Sequence, residues 1–131
     1  MKQIEIRTSK QQSFEDITQQ VQQAVNESGV REGLCHIFCL HTTAGLTVNE
    51  NWDPSVQHDI GLALNEMVPQ RRDFQHREGN SPAHIKSSLV GASQTLFVSG
   101  GRLVLGSWQG VYLVEFDGPR TRKVLVKAVE A

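Results

Sequence analysis

The chain opens on an alternation. In Lys2–Thr8 the apolar side chains Ile4 and Ile6 fall on one face and polar ones on the other, the period of a half-buried strand. The period then lengthens. After Ser13, the residues Phe14, Ile17, Val21, Ala24 and Val25 recur at helical spacing, Glu15 and Asp16 sit in the first turn, and Gly29 supplies a stop, which predicts an amphipathic helix over 14–28. Residues 33–40, GLCHIFCL, are continuously apolar over the length of a strand and predict one covered on both faces. Leu46 and Val48 resume the alternation. Asp53 and Pro54 then open a second helix whose stripe is Val56, Ile60, Ala63, Leu64 and Met67, closed before Pro69. A polar loop over 68–80 leads to a third helix, with Ser81 as cap, Pro82 in the first turn, Ile85 and Leu89 as its anchored stripe, and Gly91 as stop. From there the texture is β: runs at 94–99, 102–105, 110–116 and 121–129, separated by Gly100 with Gly101, by Gly106 and by Asp117–Pro119, predict an antiparallel meander.

The length of 131 residues fits one domain spanning 1–131, with a core that needs no staples. Thirteen basic against fourteen acidic residues leave a net charge of −1, which argues against a nucleic-acid partner, and Arg120, Arg122 and Lys123 are the densest basic run. No apolar stretch is long enough to span a bilayer and the first residues have no signal-peptide character, so a cytoplasmic protein without a membrane partner is expected. Cys35 and Cys39 fit that expectation: on one strand they would share a face about 13 Å apart, beyond disulfide reach, and read as buried free thiols.

Candidate chemistry concentrates in residues 76–91, HREGNSPAHIKSSLVG. His76, Glu78 and His84 could converge on one cation if Gly79 and Asn80 turn the loop back on the helix, and Lys86 near a helix N-terminus makes an anion site. His41, Thr42 and Thr43 place an imidazole and two hydroxyls at a strand end, where a phosphate could bind or a metal be oriented. Trp108 and Gln109, between glycines, offer a stacking face and an amide to a planar heterocycle. Glu115 and Asp117 share one side of a strand end, and Arg120 beyond the turn could grip a phosphate with its fork. The competing reading of that turn pairs Arg120 with Asp117.

The blocks HTTAGLTVNENWDPSV, HREGNSPAHIKSSLVG and LGSWQGVYLVEFDGPRTR, in this order, resemble the YjbQ family, small proteins described as having secondary thiamine-phosphate synthase activity. The resemblance runs over the whole chain. It implies an α+β fold, with antiparallel or mixed β-sheets packed in a sandwich against two or three helices, assembled as a homotrimer. It also implies a pocket built from the three blocks: His41, Thr42 and Thr43; His76, Glu78, His84 and Lys86; Gln109, Asp117 and Arg120. In that pocket His41, His76 and His84 are expected to hold a divalent metal, Zn²⁺ or Mg²⁺. Lys86, Arg120, Glu78 and Asp117 are expected to be catalytic, while Thr42, Thr43, Asn80, Trp108 and Gln109 would bind a small phosphorylated heterocycle. The implied reaction joins a pyrimidinylmethyl diphosphate to a thiazole phosphate and releases diphosphate. Two other readings accompany it: a metal-dependent hydrolase of a small phosphorylated metabolite, with Glu78 or Asp117 as base, and a non-enzymatic ligand-binding trimer. A trimer also suits a β-rich second half whose apolar segments, such as 110–116, exceed the needs of one small core.

Overall fold

The computed structural model describes residues 1–131 as eight strands and three helices. The strands are β1 (Lys2–Arg7), β2 (Ser13–Asp16), β3 (Gly33–Cys39), β4 (Ala44–Glu50), β5 (Ser93–Ser99), β6 (Arg102–Leu103), β7 (Gln109–Glu115) and β8 (Thr121–Glu130). The helices are α1 (Thr18–Ser28), α2 (Ser55–Met67) and α3 (Ser81–Val90). Every strand pairing is antiparallel, in one five-stranded sheet of order β1-β8-β3-β5-β6 and one three-stranded sheet of order β2-β7-β4. This is the expected single α+β domain. No helix is long and apolar enough to cross a membrane.

The layers follow from the alternation along β7. Val111 and Leu113 point into the main core with Val21 and Val25 of α1, Cys35 and Ile37 of β3, and Val124 and Val126 of β8. Tyr112, Val114 and Phe116 point the other way, into a second cluster with Leu64 of α2 and Ala83 of α3. The small sheet is therefore sandwiched: the large sheet and α1 cover one face, α2 and α3 the other. Cys35 and Cys39 are buried and form no disulfide, and burial pushes the Cys35 thiol up to about 11, so both behave as small hydrophobes.

Several expected elements change under tertiary packing. Residues 13–16 join the small sheet as β2, in register with Tyr112–Glu115, so the helix begins only at Thr18. The strand pairing satisfies backbone groups that a first helical turn would leave free. The run 93–130 is not a meander, because β7 leaves the large sheet for the small one and only β5 and β6 form a hairpin. β3 is buried on one face only, with Phe38 exposed and Phe97 of β5 69 % exposed on the outside of the large sheet. In α3, Ile85 and Leu89 face outward, and the buried side is Ala83, Lys86 and Ser87. Asn80 rather than Ser81 precedes the first helical residue, and Asp53 Oδ1 accepts a hydrogen bond from the Ser55 N–H just ahead of α2.

Candidate functional site

Helix α3 divides the predicted site into two. Residues 84 and 86 lie about 200° apart around a helix, so His84 and Lys86 cannot serve one depression. Lys86 turns inward: it is only 8 % exposed, its Nζ donates to Gln12 Oε1 at 2.8 Å and to Asn65 Oδ1, and the Phe116 ring centroid lies 5.9 Å away. The ammonium takes part in no ion pair. Burial lowers its pKa from the ordinary lysine value.

Around Lys86 lies a cleft of about 510 Å³ whose lining includes Gln12, Asn65, Glu78, Asn80 and Asp117. Four predicted residues thus meet there: Glu78, Asn80, Lys86 and Asp117. The loop before α3 achieves this through Gly79, whose φ of +72° is a left-handed turn, after which Asn80 Nδ2 donates to Asp117 Oδ2 at 2.9 Å. Asn80 Oδ1 is buried with no partner. Such an acceptor is costly unless a donor reaches it.

Arg120 does not reach into the cleft as a free anion grip. Its Nη2 donates to Asp117 Oδ2 and its Nε to the Asp117 carbonyl, both at 2.6 Å, so the fork is used within its own turn. The turn itself is closely packed: a Cβ on Gly118 would lie 2.5 Å from the Lys10 carbonyl oxygen.

The imidazoles lie on the opposite side of α3. His76 and His84 stack edge to face with centroids 5.1 Å apart, and His76 Nε2 is 4.0 Å from Glu78 Oε1. His84 also shares a depression of about 520 Å³ with His41 and Thr42. His41 is committed elsewhere, because its Nε2 accepts the Lys123 N–H at 2.8 Å. Burial, then the charge of Arg122, lowers its pKa. A neutral ring accepting at Nε2 carries its proton on Nδ1, so no lone pair remains for a metal. No three His, Cys, Asp or Glu side chains converge closely enough to hold a metal ion. The expected His41, His76 and His84 centre is therefore not assembled within one chain, and these residues do not fit the Zn²⁺ or Mg²⁺ site that the resemblance implies.

Of the two residues beside His41, Thr42 is exposed at that depression and Thr43 is turned inward. The Thr42 carbonyl accepts from Ser87 Oγ at 2.6 Å, and Thr43 is buried with Oγ1 accepting from Arg122 Nη2 at 2.7 Å. Trp108 and Gln109 belong to another part of the molecule. They sit at the start of β7, while Asp117 follows its end, about 20 Å away along a strand. There Gln109 Oε1 accepts from the Gly106 N–H at 2.8 Å, and Trp108 packs edge-on against Trp52, centroids 5.8 Å apart.

Three functional features escaped the sequence reading. Gln12 and Asn65, which hold Lys86, carry no motif. The third is a buried ion pair, Glu115 with Arg122, both nearly inaccessible. Glu115 Oε1 also accepts from Thr8 Oγ1 and from Arg122 Nε, each at 2.8 Å, and Oε2 accepts from the Asp117 N–H at 3.1 Å. Burial alone would raise this carboxyl, but these bonds outweigh it and hold it below the usual range. A signal existed: Arg122, Val124 and Val126 alternate along β8, so Arg122 shares the inward face of a strand.

Comparison with known proteins agrees with this architecture over nearly the full length. The family model described as UPF0047 protein YjbQ-like matches residues 2–131. A UPF0047 protein of Methanocaldococcus jannaschii is 50 % identical over 125 residues, covering 95 % of this chain and 91 % of that protein. The UPF0047 protein YugU of Bacillus subtilis is 48 % identical over 128 residues, covering 97 % of each. Among solved structures, a YjbQ/UPF0047-family protein of Clostridium acetobutylicum, described as uncharacterized, superposes with a TM-score of 0.96 at 51 % identity, covering 98 % of this chain and 100 % of its own. A YbjQ-like protein of unknown function from Sulfolobus solfataricus superposes with a TM-score of 0.93 at 35 % identity, covering 99 % of this chain and 96 % of its own. The chain belongs to the YjbQ/UPF0047 family.

Proposed function

We propose that this protein is a transferase acting on small phosphorylated heterocycles, with thiamine-phosphate synthase as a side activity, and that its diphosphate-bearing substrate binds in the Lys86 cleft. One observation carries the reading. Lys86 presents a buried positive charge held only by two neutral amide oxygens. An ammonium in low dielectric without a counter-ion attracts an anion more strongly than an exposed one. When the bond from the pyrimidinylmethyl carbon to the diphosphate oxygen breaks, its electron pair leaves with the diphosphate. Lys86 stabilises that growing charge. Asn80 Oδ1 offers an acceptor to an amino group on the pyrimidine, which would satisfy both partners. The thiazole nitrogen then forms the new C–N bond with its lone pair. No proton need be removed, which suits a cleft in which Asp117 is already engaged by Asn80 and Arg120.

The working form is proposed to be a homotrimer. Support comes from the uncovered face of the large sheet, where exposed Phe97 pairs with Leu34 and exposed Phe38 lies on the same face farther along β3, since large apolar side chains left on a β-surface mark a contact region. Segment 110–116 is consumed by the chain's own two clusters and argues nothing about assembly.

The test is to measure thiamine-phosphate formation from the two phosphorylated precursors by wild type and Lys86→Met. A loss of about 10²-fold in the variant is expected, the scale of one electrostatic donor to a leaving group. Equal rates would remove Lys86 from the reaction. Release of phosphate from the pyrimidine precursor without the thiazole would turn the reading to a hydrolase.

A further inference from the structure

A cleft of about 650 Å³ lies between the loop before β2 and helix α2, with Phe14, Gln57, Gly61, Leu62 and Tyr112 among its walls. It adjoins the Lys86 cleft, and the two share two residues: Gln12 and Asn65 line both. These are the residues that hold the Lys86 ammonium. The Gln12 amide spans the partition, its Oε1 accepting from Lys86 and its Nε2 donating to the Gly61 carbonyl at 3.3 Å.

Gly61 is a further sign that this floor is built. A glycine inside a helix is destabilising relative to alanine. Here a Cβ would lie 3.0 Å from Gln12 Nε2, so the small residue lets the partition seat against the helix backbone. Beside it, Phe14 stands edge-on to Tyr112, with centroids 6.0 Å apart at 81°, and gives the cleft an aromatic wall of its own.

We infer that the cleft between β2 and α2 is the subsite for the second, ring-bearing reactant, and that the Gln12–Asn65 partition is where the two reactants meet. This rests on the transferase reading above. Joining two molecules requires both to be held within near-attack distance, and two clefts that share the Gln12 and Asn65 side chains bring the reactants to the same two groups. The aromatic wall takes the thiazole ring, and the ring nitrogen faces the carbon that loses diphosphate on the Lys86 side. The product is a cationic thiazolium formed with no proton to dispose of, so the neutral amides of Gln12 and Asn65 suffice at the junction.

The experiment is titration calorimetry of inorganic diphosphate and of the thiazole phosphate, separately and together, on wild type, Gly61→Leu and Leu62→Glu. Gly61→Leu fills the floor. Leu62→Glu leaves the fold alone, since Leu62 is exposed at the rim, and sets a carboxylate against a phosphorylated ligand. Both variants are expected to weaken thiazole phosphate by about tenfold or more, and Leu62→Glu, which does not touch the partition, is expected to leave diphosphate within about twofold. If Gly61→Leu does not fold, Leu62→Glu decides alone. Unchanged thiazole phosphate binding in the variants, or none in wild type that still binds diphosphate, overturns the subsite and leaves the Lys86 reading standing. Wild type that binds no diphosphate overturns both.

Discussion

Arg122 and Glu115 form an ion pair sealed between the two sheets, and the same carboxylate also holds Thr8 and the Asp117 N–H. Removing one partner strands the other charge. Glu115→Gln or Arg122→Met should each cost about 3 to 5 kcal/mol, and the double variant Glu115→Leu with Arg122→Met less than the sum. Denaturant unfolding of the four proteins checks this.

The same pair sets an acid limit. Because the folded Glu115 pKa is lowered, its stabilisation is complete above the unfolded carboxyl pKa and is lost as pH falls through the folded value. Unfolding midpoints measured from pH 7 down into the acid range should fall in wild type more steeply than in Glu115→Gln.

Lys86 has the opposite sign with respect to ligand. Its lowered pKa means that the ammonium is lost as pH rises through a value below that of an ordinary lysine. Diphosphate affinity should therefore decline on the alkaline side earlier than for a surface lysine site. Calorimetry across that range, with Lys86→Met as a flat control, reads it directly.

His41 should be a Nδ1–H tautomer that titrates below an ordinary histidine. Nitrogen-15 imidazole spectra report both properties. Addition of Zn²⁺ should shift His76 and His84 and leave His41 unmoved, because its only lone pair is taken by the Lys123 amide.

Phe97→Glu places a charge on the bare face of the large sheet without touching the core. Sedimentation is expected to show a trimer for wild type and a monomer for the variant, with the far-ultraviolet spectrum unchanged.

The sequence was most readable where one element satisfies one pattern. β1, β4, the body of α2 and the place of α3 follow from period, proline and glycine. It misled where a residue serves a partner distant in the chain. Phe14 and Ile17 keep helical spacing, yet pairing with β7 draws 13–16 into a strand. Ile85 and Leu89 read as an anchored stripe, but α3 packs through Ala83 and Ser87 with Lys86 between them, because the amides of Gln12 and Asn65 give that ammonium a place inside. Within the site, the crowding of polar residues in 76–91 pointed to Glu78, Asn80 and Lys86, whereas their meeting with Asp117 was expected only through the family resemblance. The separation of the imidazoles from Lys86 follows from a helix phase that only a known burial face can fix.

Strand β7 has a last consequence, for motion. It is the middle strand of its sheet and is covered on both faces, so its central amides should be among the slowest in the chain to exchange with solvent, opening only when the whole domain unfolds. Helices α2 and α3 pack on it through the smaller cluster, with a few side-chain bonds to neighbouring segments, such as Ser87 Oγ to the Thr42 carbonyl. They can loosen first, as a unit, over a floor that stays still. Both clefts would then widen and close together, admitting reactants by a movement of one layer.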